Sequence, residues 1–166
     1  VILLGSIILA ISSKIKIPFY PVPMTMQTFV VLLIGMSFGY RGGLATVILY
    51  LIEGIIGLPV FSNSPEKGVG LIYFTGPTMG YLIGFLSAVF LSGYFKFGKN
   101  IFSNFLKILL SVSTIYILGL FWLAALIGWD KPIFDLGAKP FLLAELFKIL
   151  ILTFIASKLV KFRKTI

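Results

Sequence analysis

Glu145 and Lys148, in the stretch Pro140–Lys148 (P-F-L-L-A-E-L-F-K), are the side chains whose chemistry packing explains least. They lie inside an apolar run that continues to about Lys161, and their i,i+3 spacing puts both on one helix face. In a membrane span, a charge near the midplane costs roughly 2.5–3.5 kcal/mol. With Pro140 in the first turn, a rise of ~1.5 Å per residue sets Glu145 about 8 Å and Lys148 about 12 Å below the helix start. Both depths fall short of the centre of a ~30 Å hydrocarbon core, so the cost is reduced but real. A carboxylate and an ammonium at that depth need each other, a water-filled cavity or a polar ligand. A structural ion pair that fixes helix packing meets the need, and so does a ligand site; intramembrane ionisable groups point to function by default.

Composition shows what kind of chain positions them. Of 166 residues, 59% are hydrophobic, 16% aromatic and only 11% charged, and the mean hydropathy is +1.11. A water-soluble domain of this length could not hide so much apolar surface. The expected class is an all-α integral membrane protein, one membrane domain over residues 1–166. Cysteine and histidine are absent, which removes disulfides, thiol nucleophiles, Cys/His zinc sites and histidine bases. The net charge of +9 fits Lys and Arg at helix ends better than nucleic-acid binding. Because the chain opens at Val1 within an apolar run, we expect residues ahead of it, and no small-residue cleavage site follows that run.

Six transmembrane helices are expected, at about 1–15, 28–39, 43–57, 77–95, 104–127 and 140–161. The first carries Ser6 and Ala10, a small-x-x-x-small pair that lets another helix approach closely. Pro18, Pro21 and Pro23 then forbid regular helix. This segment is apolar and aromatic, so it is expected to fold back on the core, where a cavity or buried protein tolerates irregular backbone. Thr25 and Gln27 are the polar side chains it could aim inward, and Thr25 could equally cap the second helix. Glu53, near the end of the third helix, suits a snorkelling or capping role. Residues 60–75 form the longest non-helical segment, with Asn63 in its polar half and Tyr73 in its aromatic half; a loop of this length in a bundle is usually functional. Gly76 and Pro77 fit an N-cap followed by proline at the first helical position. Gly76, Gly80, Gly84 and Ala88 form a small-residue ladder for close packing, and the free N–H groups at Pro77–Met79 could receive an anion.

An even number of spans leaves both termini on one side. That side collects Arg41, Lys96, Lys99, Lys107, Lys158, Lys161, Arg163 and Lys164. The other has Lys14, Lys16, Lys67, Lys131 and Lys139, offset by Glu66, Asp130 and Asp135. The positive-inside rule therefore puts both termini in the cytoplasm of a bacterial-type plasma (inner) membrane. The proline loop, the 60–75 segment, Gly76–Tyr81 and the Glu145/Lys148 turn then converge on one externally open pocket. The chain shows no metal box, phosphate loop or serine elbow, so active transport would have to draw its energy from a partner or from an ion gradient, and no clear inverted repeat of broken helices supports a secondary transporter. A small intramembrane enzyme would need a second catalytic group beside Glu145.

Four motifs occur in a recognisable order. They are Pro21-Val-Pro23-Met-Thr25-Met-Gln27-Thr28-Phe29, Gly57-Leu-Pro59-Val-Phe61, Gly76-Pro77-Thr78-Met-Gly80-Tyr81-Leu-Ile-Gly84-Phe85, and Pro140–Lys148. Together they resemble the BioY family, the biotin-specific substrate-binding (S) components of energy-coupling-factor (ECF) transporters. The resemblance covers nearly the whole chain. It implies biotin as transported ligand, no cofactor of the chain's own, no enzyme activity, and docking onto a transmembrane coupling protein carrying two ATPase subunits. The family usually has Asp at the position of Glu145, with the Lys matched by Lys148. Its paired small residues on the first helix appear here as Ser6 and Ala10. In such a site Glu145 would accept from the ureido N–H groups, and Lys148 would donate to the ureido carbonyl or hold Glu145 ionised. Asn63, Gln27 or the helix start at Gly76 would serve the valerate carboxylate. Tyr73 and Tyr81 are among the aromatics that could cover the bicycle. An S component for another vitamin is the alternative within this class.

Overall fold

The computed structural model describes residues 1–165. Its elements are α1 (Ile2–Lys14), β1 (Lys16–Ile17), β2 (Met24–Thr25), α2 (Gln27–Ile55), α3 (Met79–Tyr94), α4 (Ile101–Ile127), α5 (Ile133–Gly137) and α6 (Leu142–Arg163). Short 3-10 helices cover Gly70–Thr75 and Lys139–Phe141.

Gly39 decides the topology. It breaks α2 with φ +74° and ψ 172°, a conformation open to glycine because it lacks Cβ. The two limbs, residues 27–38 and 40–55, fold back on each other. A Cβ at Gly43 would lie 3.3 Å from Gly35 Cα, and Gln27 Nε2 donates to the Tyr50 hydroxyl at 2.6 Å. Among the described residues this gives six apolar helical segments: α1, the two limbs of α2, α3, α4 and α6. The expected six-helix architecture therefore stands. The helix Ile101–Ile127 and the run Ile133–Arg163 are long and apolar enough to cross a membrane.

Polarity is inverted relative to a water-soluble protein. Leu3, Leu4, Ile117, Phe121, Leu143, Phe147 and Phe154 are exposed, while Gln27, Thr28, Asn104, Glu145 and Lys148 are buried. A contiguous apolar exterior of this kind belongs in lipid, and the chain is a membrane protein. The core between the helices is built from residues such as Leu9, Leu32, Met36, Tyr50, Phe61, Ile115 and Leu152.

Small residues set the helix spacing, as the ladder on α3 leads one to expect. A Cβ at Gly84 would come 2.6 Å from Ile115 Cα, and one at Gly80 would come 2.5 Å from Leu118 O. At the end of the bundle that holds the termini, Arg163 donates from Nε and Nη2 to Met36 O (3.0 and 2.8 Å) and from Nη1 to Gly93 O (3.1 Å). It thereby satisfies carbonyls left free where the first limb of α2 and α3 end.

Several boundaries differ from expectation. Helix α3 starts at Met79 because Gly76 stays extended, its carbonyl held by Trp122 Nε1 at 2.8 Å. So Gly76 is not the N-cap, and Pro77 is not the first helical residue. Helix α4 starts at Ile101 because Asn100 accepts from Ser103 N at 3.0 Å as its N-cap. Pro140 lies in the 3-10 turn before α6. The proline loop closes a two-stranded ribbon in which Lys16 pairs with Thr25 and Ile17 with Met24.

The glycine contacts carry a prediction. Gly84→Val places side-chain atoms against the Ile115 backbone, which cannot give way, at an overpacking cost of about 1–3 kcal/mol. The thermal midpoint of the detergent-solubilised protein should fall. Gly98→Val should leave it unchanged, since a Cβ there meets nothing within 4 Å.

Candidate functional site

Lys148 anchors one end of the site. Its Nζ donates to Thr25 O (2.7 Å), Thr28 Oγ1 (3.1 Å) and Glu145 Oε1 (3.0 Å). An ammonium has three N–H donors, and these acceptors use all three. The Thr28 hydroxyl in turn donates to Glu145 Oε1 at 2.7 Å. Glu145 and Lys148 are 5% and 7% exposed, so each charge is compensated inside the fold as burial requires. The ribbon and the start of α2 thus hold the α6 ion pair from the opposite side.

This geometry corrects one expected role. Lys148 has no N–H left for a ligand carbonyl; its work is to fix and neutralise Glu145. Thr28 is the partner that sequence reasoning passed over, and its signal was position: one residue after Gln27, on the helix that opens beside the proline loop.

The second carboxylate oxygen behaves differently. Among the described residues, Glu145 Oε2 and Ser62 Oγ are the buried side-chain oxygens without a hydrogen-bond partner. Both residues line one cavity, which is partly open to the surface. Its apolar wall comes from Val22, Met24, Leu82, Phe85, Ile115 and Phe141, and its polar wall from Thr25, Gln27, Thr28, Tyr73, Thr78, Tyr81 and Tyr116. Tyr116 of α4 stands beside the Glu145 carboxylate. It was not anticipated, because nothing in the apolar pattern of α4 marks its inward face.

Of the expected site residues, Thr25, Gln27, Tyr73, Tyr81 and Glu145 meet in this cavity, and Lys148 sits behind Glu145. Several of their polar atoms are already committed. The Tyr81 hydroxyl donates to Gly137 O at 2.6 Å, the Tyr73 hydroxyl donates to Ser62 O, and one Gln27 amide N–H goes to Tyr50. Tyr73 and Tyr81 therefore contribute mainly ring surface. Asn63 and Gly76 line a neighbouring cavity of about 370 Å³ with Pro21, Lys67 and Pro77; Tyr73 and Thr78 belong to both cavities. Asn63 Oδ1 accepts from Lys16 Nζ.

Ser6 and Ala10 land elsewhere. Ser6 is fully buried and donates to Glu53 Oε1 at 2.9 Å, and Ala10 packs on the core. The small-residue face of α1 is thus occupied by the second limb of α2, because Gly5 and Ser6 let that limb come close. The same bond corrects the expectation that Glu53 snorkels.

The chain is similar to known proteins in both sequence and fold. A family model described as the BioY family matches residues 1–165. A relative from Pyrococcus horikoshii, "Probable biotin transporter BioY", is 34% identical over 90% of this chain and 88% of its own length. "Biotin transporter BioY" of Thermotoga maritima is 34% identical over 93% of this chain and 90% of its own. The crystal structure of the S-component for biotin from an ECF-type ABC transporter matches with a TM-score of 0.79 at 26% identity, covering 95% of this chain and 87% of that one.

The ion-pair network predicts a stability pattern in ligand-free protein. Thr28→Val removes one hydroxyl from a buried charged network and should cost about 1–3 kcal/mol. Lys148→Met strands the carboxylate and should cost about 3–5 kcal/mol. Adding Glu145→Gln to Lys148→Met removes the stranded charge, so the double variant should recover most of the loss. Unfolding midpoints in one detergent check the order.

Proposed function

The chain belongs to the BioY family, and from that premise we propose that it is the biotin-binding S component of an ECF transporter, with the cavity between α2, α3, α4 and α6 as its biotin site. The observation that carries the assignment is Glu145 Oε2, an unpaired carboxylate oxygen on a residue that lines the cavity. Leaving such an atom unsatisfied in an apolar medium is costly, and a ligand with N–H donors relieves that cost. Biotin's ureido ring presents two N–H groups on a compact apolar bicycle. Tyr73, Tyr81, Phe85 and Phe141 supply flat walls for the bicycle. The chain is a transport protein rather than an enzyme.

Uptake runs with an ECF module; its coupling protein and two ATPase subunits would bind and hydrolyse ATP, and the chain itself needs no cofactor. Both termini face the cytoplasm and the cavity faces outward. The Lys/Arg excess on the termini side supports that orientation.

Biotin titration tests the site. Glu145→Gln keeps shape but replaces a charged acceptor with a neutral amide. Hydrogen bonds to charged groups are worth roughly 1.5–3 kcal/mol, about twice neutral ones. Affinity should fall by about one to two orders of magnitude at ~1.4 kcal/mol per tenfold. Unchanged affinity would remove Glu145 from the site. Orientation is tested separately, since the chain has no cysteine. Single cysteines at positions 67 and 135 should react with an impermeant thiol reagent from outside intact cells, and one at 98 should not.

A further inference from the structure

Ser62 is the other group in the cavity with an unspent hydrogen bond, and the protein around it is arranged to hold it still. The Val60 carbonyl accepts from Ser13 Oγ (2.8 Å) and from the Tyr50 hydroxyl (2.9 Å). Lys14 Nζ reaches the Phe61 carbonyl at 2.9 Å and the Ser64 carbonyl at 2.7 Å, one on each side of Ser62. The Ser62 carbonyl itself is taken by Tyr73. The segment is thus fixed by donors from α1, α2 and the 3-10 helix. The Ser62 hydroxyl is 4% exposed as a residue, lines the cavity, and alone of this set has no partner among the described residues.

We infer that Ser62 is a ligand contact that donates to the carboxylate end of biotin, and that Lys14 is its positioning residue. This inference rests on the biotin reading above. Electrostatics orients the ligand. At the α6 end Glu145 offers an acceptor, and Lys148 spends its N–H groups on the protein and leaves none for an anion. The segment carrying Ser62 is surrounded by Lys14, Lys16 and Lys67, against one exposed carboxylate, Glu66. Ser62 also adjoins Tyr73, which borders the outer cavity containing Lys67. The anionic end therefore lies on the lysine side, where a hydroxyl held rigid loses little entropy on forming its bond.

The experiment titrates biotin and biotin methyl ester, which masks the carboxylate charge, into wild type, Ser62→Ala, Lys14→Met and the double variant. Ser62→Ala should weaken biotin about tenfold, the worth of one charge-assisted bond. The methyl ester should change less than about twofold. The ligand-free midpoint of Ser62→Ala should hold or rise, because the substitution deletes a buried hydroxyl that has no partner. Lys14→Met should show a selective loss for biotin, and that loss should be clearly smaller in the Ser62→Ala background, where only the charge of Lys14 is left to lose. Equal weakening of both ligands by Ser62→Ala, or no weakening of either, overturns the contact. A fully additive Lys14→Met effect, or one equal for both ligands, overturns the positioning role. Failure of the wild type to bind biotin at all overturns the biotin reading and this inference with it; a wild type that binds normally beside an unaffected Ser62→Ala overturns this inference alone.

Discussion

Everything near the cavity depends on how one buried carboxylate is partnered. A buried carboxylate needs partners inside the fold. Lys148 and Thr28 meet Glu145 Oε1 from two directions, and Lys148 is itself fixed by the Thr25 carbonyl. The network is asymmetric: Oε1 takes both donors, and Oε2 has no hydrogen-bond partner among the described residues. The charged pair lies on α6 while its fourth partner comes from the ribbon. The network closes only when the proline loop has folded back over the start of α2.

Much of this was legible in the sequence because membranes penalise polar groups so heavily. Two charges three residues apart in an apolar run, three prolines where a span should be, and a ladder of glycines each imply a definite local structure. Glu145, Gln27, Thr25 and the two tyrosines line one cavity because topology brings their segments to one end of the bundle. Ser6 shows where the same reasoning stops. A small-residue face says that something packs closely on it; it does not say whether the partner is another protein or the chain's own hairpin, and here it is the hairpin. Ser62, Thr28 and Tyr116 were harder still. Serine, threonine and tyrosine cost little to place in a membrane protein, so their presence signals nothing until the backbone shows what they face.

Committed donors reshape the chemistry that residue types alone imply. Lysine beside glutamate invites the idea of a ligand gripped by both. Counting N–H groups on Lys148 removes that option and moves the ligand's polar contacts elsewhere. Tyr73 and Tyr81 look like hydrogen-bonding residues, yet their hydroxyls tie down Ser62 and Gly137. What remains free is a carboxylate oxygen at one end, a serine hydroxyl in the 60–64 segment, and aromatic surface between. A ligand with paired N–H donors, an apolar middle and an anionic tail matches that residue of unspent capacity.

The placement of α6 shows how such a cavity is kept in register. Against α4 it packs loosely: an apolar groove of about 1,120 Å³ of open space runs between them, lined by Leu109, Ile117, Leu146 and Ile149, with Tyr116 and Glu145 at its inner edge. Against α2 it is bonded at two distant points, through Lys148 to Thr28 and through Arg163 to Met36, and Lys148 also bonds Thr25 of β2. Those two anchors are 15 residues apart, roughly 22 Å along a helix at 1.5 Å per residue. Apolar contact is tolerant of small shifts, whereas charged hydrogen bonds at two distant points fix both translation and rotation. The distance between Glu145 and the ribbon is therefore set by α2, not by the α4 side. Gly39 gains a second importance from this: by folding α2 back, it presents one limb whose start meets Lys148 and whose end meets Arg163, so a single glycine turn underlies the register of the helix that carries the charge.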